Sequence, residues 1–205
     1  MITRKYGDAG QAFPIYITVV AGLLFLAFAY LAVGQAAATR NGAQTAADAA
    51  ALAAAQDRRD QLAGKWLENV LKPGLWKDIF RGEVEGLDPS CWRAQQLANE
   101  NDAHVVGDCI PHWYPELGYT VEVETNDPVG DSIVPGTEAT YAKATAKAVI
   151  TPRCTFQLPD EDNGDNGDLP QLNCRDNKNW DLDPEHLSDL PGAEDLFDVH
   201  LADTD

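Results

Sequence analysis

Phe13-Pro14-Ile15-Tyr16-Ile17-Thr18-Val19-Val20-Ala21-Gly22-Leu23-Leu24-Phe25-Leu26-Ala27-Phe28-Ala29-Tyr30-Leu31-Ala32-Val33-Gly34 contains no charged residue. As a helix these residues reach about 33 Å, enough to cross a hydrocarbon core about 30 Å thick. Tyr16 and Tyr30 stand toward the two ends, where amphipathic rings favour the interface. Pro14 falls in the first turn, where its missing N–H costs little. A secretory signal peptide is the rival reading, and Gln35-Ala36-Ala37-Ala38 resembles a small-residue cleavage site. The apolar run is long for a signal h-region, and the helical pattern continues past it. A retained single-pass anchor is therefore expected.

Residues 35–60 are rich in alanine and contain no proline, so the spanning helix is expected to run on into water. Ala46, Ala47, Ala50, Ala51 and Ala54 leave one side of it almost without bulk, with Asp48 embedded among them. Small residues let a second helix approach closely; plain helix propensity accounts equally for the composition. On the packing reading, Ala47→Trp or Ala50→Trp leaves the helix intact and blocks association.

Arg40-Asn41-Gly42-Ala43-Gln44-Thr45-Ala46-Ala47-Asp48-Ala49-Ala50-Ala51-Leu52-Ala53-Ala54-Ala55, preceded by Gly7-Asp8-Ala9-Gly10-Gln11-Ala12-Phe13-Pro14, resembles the N-terminal module of the Tad-type (Flp) pilus-assembly TadE/TadG-like family. The resemblance covers roughly the first quarter of the chain. It implies a non-enzymatic, membrane-anchored, pilin-like protein of pilus assembly or secretion. The implied partners are other pilus-assembly membrane proteins or pilins, with a second copy of the chain as a further candidate. No glutamate follows Gly7 or Gly10 closely, which makes the chain more similar to the uncleaved, TadG-like branch.

The formal net charge is -18. From Thr155 onward, fifteen Asp and Glu stand against only Arg175 and Lys178. Such a chain repels nucleic-acid phosphates and anionic lipid heads. Cys91, Cys109, Cys154 and Cys174 all follow the apolar run and form no C-x-x-C pair, so the usual zinc and redox spacings are missing. Four cysteines allow three connectivities, of which Cys91–Cys109 with Cys154–Cys174 is preferred because short loops close most readily. Flanking charge is nearly balanced, with Arg4 and Lys5 before the span and Arg40, Arg58 and Arg59 after it. Cysteine usage decides for a cytoplasmic N-terminus and an extracytoplasmic remainder.

The expected organisation is a cytoplasmic stub (1–12), a spanning helix (13–34), its alanine-rich extension (35–72), an α+β ectodomain (73–154) and an acidic irregular region (155–205). The fold class is α+β with a small antiparallel sheet. Leu62, Trp66, Leu67, Val70 and Leu71 form a helical stripe before Pro73-Gly74 stops the helix. Ser90 is placed to cap a helix over Cys91–Glu100. Residues 119–125 and 140–151 alternate as half-buried strands do. Leu196, Phe197, Val199 and Leu201 make a last apolar segment that either docks on the ectodomain or binds a partner. Asp160, Asp162, Asp165 and Asp168 read as a solvated loop, with calcium as the alternative; the EF-hand order fails there. No catalytic signature such as H-E-x-x-H or G-x-S-x-G occurs, and no cofactor is expected. The competing function is a membrane-tethered module whose acidic region takes a cation or a basic partner.

Overall fold

A computed structural model describes residues 12–128, 139–158, 169–184 and 189–203. The proposed stub before Ala12 and the four candidate calcium ligands at 160–168 lie outside these residues. One helix, α1 (Ala12–Glu68), runs unbroken for 57 residues, about 85 Å at 1.5 Å per residue. Gly42 does not interrupt it, because flanking alanines supply enough propensity to offset one glycine. A short 3-10 turn at Pro73–Leu75 leads to α2 (Trp76–Phe80), then α3 (Cys91–Glu100).

The strands follow as β1 (Ala103–Val105), β2 (Ile110–His112), β3 (Gly118–Thr125), β4 (Lys143–Pro152), β5 (Cys154–Thr155), β6 (Leu172–Cys174), β7 (Asn179–Trp180) and, after the single turn α4 (Ala193–Leu196), β8 (Phe197–Ala202). The main sheet is antiparallel in the order β1-β3-β4-β8, with β2 also pairing with β3. A second, small sheet has the order β5-β6-β7.

Period-2 alternation explains which face is buried. Tyr119, Val121 and Val123 stand opposite Ala148, Ala146 and Ala144, and their shared face lies against α1. Helix α3 covers α1 on another side through Ala94 and Ala98, both fully buried. At the far end an aromatic chain closes the core: Trp66–Trp76, Trp76–Phe156, Phe80–Phe156 and Phe80–Phe197 have centroids 5.0–5.5 Å apart.

Three expectations are revised. Leu62, Trp66 and Val70 are buried, but Leu67 and Leu71 are exposed. The helix ends at Glu68, so Val70 and Leu71 lie in the turn after it, and Leu67 faces away from the buried side that carries Leu62 and Trp66. Ser90 precedes α3 as expected, yet its hydroxyl makes no cap bond; it accepts from Gln61 Nε2 at 3.3 Å. On α3 the small residues face inward and Trp92 faces out. Finally, the region after 155 is not wholly irregular. Residues 197–202 add a strand to the main sheet beside β4, so Phe197 docks on the ectodomain core.

Candidate functional site

Among the described residues, nothing covers the apolar segment. The most apolar window of α1 has a mean hydropathy of 2.3 and none of it is buried by the rest of the chain. Phe13, Phe25, Leu26, Phe28 and Val33 are each more than half exposed. Exposing so many large apolar side chains to water is unfavourable by about 1.5–3 kcal/mol each, so a bilayer is the surrounding that suits this helix. Packing against the ectodomain begins only at Ala43. Residues 35–42 therefore form a bare stalk of about 12 Å between the apolar run and the ectodomain.

The alanine face has a different role from the one its composition suggests. Ala46, Ala47, Ala50, Ala51 and Ala54 are fully buried, and what covers them is this chain's own β3, β4 and α3. Methyl-sized side chains let the sheet lie close on the helix, and no open stripe is left there for a second helix. Asp48 sits at the rim and accepts a 2.8 Å hydrogen bond from Gln44 one turn earlier. Ala50→Trp is therefore a core substitution in this fold, not a surface one.

A buried cation lies beyond the alanines. Arg58 is 6 % exposed, and its Nε and Nη2 donate to the Tyr119 hydroxyl at 3.2 and 2.8 Å. No carboxylate among the described residues pairs with it. Gln61 ties the next turn of α1 to the chain before α3 by donating to Asp88 O and accepting from Asp88 N at 2.7 Å.

These contacts fix which end of the ectodomain faces the apolar run. Tyr119 on β3 is level with Arg58, and Phe156, just past β4, stacks on Trp76 beside Trp66. The Pro152 end of β4 therefore lies at the end of α1 remote from the apolar run, and the Lys143 and Thr125 ends lie near the stalk. The small β5–β7 sheet sits at the remote pole with its cross-strand pair Cys154–Cys174. Cys91–Cys109 ties the start of α3 to β2. Each bond closes a loop of about twenty residues, worth roughly 3 kcal/mol by the chain-entropy account.

Charge at the remote pole is partly paired. Lys178 Nζ donates to Asp195 Oδ1 at 2.6 Å, and this bond, with a second from the Gly192 N–H, holds the Asp195 carboxyl below its ordinary range. Glu116 is lowered in the same sense by Lys147, 2.6 Å away. His112 and Glu116, four apart in sequence, go to different partners. The His112 ring meets the Thr120 hydroxyl at 2.7 Å. Among the described residues no group of three His, Cys, Asp or Glu side chains is placed to hold a metal ion.

Sequence reasoning missed Arg58 because nothing in a pair of adjacent arginines distinguishes the one that turns inward. Helical phase was the usable signal: Arg58 lies four residues after Ala54 and four before Leu62, on the buried stripe.

Residues 10–57 match the family model described as Tad, putative Flp pilus-assembly TadE/G-like. The matched stretch is the apolar run, the stalk and the alanine face, and it stops one residue before Arg58. No curated protein and no solved structure matches the chain.

Proposed function

Proceeding from the TadE/G-like module at residues 10–57, we propose that this chain is a non-enzymatic, membrane-anchored, pilin-like component of Tad/Flp pilus assembly or secretion. The observation that carries the reading is that this module begins with the one stretch, among the described residues, that is long and apolar enough to cross a membrane and is uncovered by the rest of the fold. Residues 13–34 are the anchor, the short N-terminal stub is cytoplasmic, and the ectodomain with its two disulfides is extracytoplasmic. That placement suits both cross-links, because thiols stay reduced in the cytosol. It also holds the acidic pole away from anionic lipid heads, which would repel it.

In this reading α1 is anchor, stalk and core element in one. The alanine face builds the ectodomain onto the helix, and partner contacts fall on the spanning segment or on the ectodomain surface. Other pilus-assembly membrane proteins or pilins are the partners, and a second copy of the chain is a further one. The test is affinity purification of the full chain from native membranes, with mass spectrometry of what accompanies it. Recovery of secretion-platform or pilin proteins is expected. Recovery of the chain as a soluble product beginning near Ala38 would show that residues 13–34 are a signal peptide. Alkylation of all four cysteines in unreduced, freshly denatured cells would place the ectodomain inside.

A further inference from the structure

At the membrane-remote end of α1 a groove of about 320 Å³ opens between that helix, α2 and residues 83–85. Ile79 forms a buried floor, with Leu75 and Val84 beside it, and the rim carries Asp78, Glu83 and Glu85. None of these three carboxylates has a hydrogen-bond or ion-pair partner among the described residues. The one cation in the lining, Lys65, is already turned to Glu68 at 3.3 Å.

We propose that this groove is the docking site for a segment of a different protein that presents a lysine or arginine side chain between apolar residues. Charge complementarity selects that occupant. An apolar floor takes the hydrocarbon stem and its neighbours, and the rim carboxylates take the cationic head, as long basic side chains prefer. A metal ion does not fit, because the carboxylates ring the groove and do not converge on one point. At this groove a second copy is disfavoured as well, since its rim is acidic and each copy carries a net charge of -18. The pole holds further uncovered apolar side chains, Trp113 and Tyr114 among them, with Arg81 stacked 4.9 Å over the Tyr114 ring. They extend the surface a partner would cover. The groove deepens the assembly reading but does not depend on the partner being a pilus protein.

The experiment places a photocrosslinking benzoylphenylalanine at Val84 in the full-length chain, in native membranes, and maps the captured peptide by mass spectrometry. A control places it at Asp60, on the exposed back of α1. The expected result is one peptide carrying Lys or Arg flanked by apolar residues. Its yield should fall at least fivefold in Asp78→Asn/Glu83→Gln/Glu85→Gln, whose exposed positions leave folding untouched, and it should be absent at Asp60. Capture of lipid, of this chain's own peptides or of an acidic segment overturns the proposal. So does the absence of any crosslink at Val84, or a yield indifferent to the triple variant. Capture of a basic, apolar segment from a protein unrelated to pili upholds the groove and counts against the assembly reading alone.

Discussion

Arg58 and Tyr119 show how much one buried contact decides. A guanidinium taken out of water without a carboxylate depends on the few acceptors that reach it, here, among the described residues, the Tyr119 hydroxyl. Removing that oxygen leaves donors unpaired, and an orphaned buried polar group costs about 1–3 kcal/mol, more when charged. Tyr119→Phe is therefore expected to lower stability by at least that much in urea denaturation. Arg58→Met/Tyr119→Phe is expected to recover most of the loss, since methionine fills the space without needing a partner. A second residue prediction concerns pH. Because the folded state holds the Asp195 carboxyl below its ordinary value, its contribution is present above that value and is lost as pH falls through the lowered one. The pair is partly exposed, so the effect is at most about 1 kcal/mol. Thermal melts of wild type and Asp195→Asn should differ near pH 7 and converge toward pH 3. A difference unchanged across that range would contradict the Lys178 pairing.

At the level of the element, α1 carries two environments along one helix, and a single kind of substitution separates them. Ala50→Trp puts an indole where β3, β4 and α3 close on a methyl group. Overpacking of this kind costs typically 1–3 kcal/mol, occasionally more. Ala37→Trp falls on the bare stalk and is expected to leave ectodomain stability unchanged; equal effects in denaturation would contradict the register of sheet on helix. Gly118 is a similar test inside the sheet. A Cβ there would collide with the Ala148 carbonyl oxygen, so Gly118→Ala forces β3 and β4 apart and should destabilise by several kcal/mol. The elements themselves were largely legible. The uncharged run, the proline-free alanines and the alternation at 119–125 each follow from a period that sequence displays directly. What covers the alanines was not legible. A helix face of methyl groups is equally suited to another helix and to a sheet, and only the long-range pairing of β3 with β4 decides between them. Likewise the apolar segment at 196–201 was visible, but its pairing with β4 was not, because its side chains suit docking and partner binding equally.

Across the whole molecule, α1 is one continuous helix with the α+β domain built around its C-terminal half. About 30 residues of α1 extend clear of that domain, and the small β5–β7 sheet lies at the opposite end from the apolar run. On the proposed reading, this arrangement displays a surface above the membrane, which suits an assembly component. The central claim is that this display serves pilus assembly from the membrane. It is tested most directly by counting surface pili in cells lacking the gene, complemented either with the full chain or with residues 43–205 released behind a cleavable signal sequence. The account predicts that deletion abolishes or sharply reduces piliation, that the full chain restores it and that the released ectodomain does not. Unchanged piliation and secretion after deletion would contradict it.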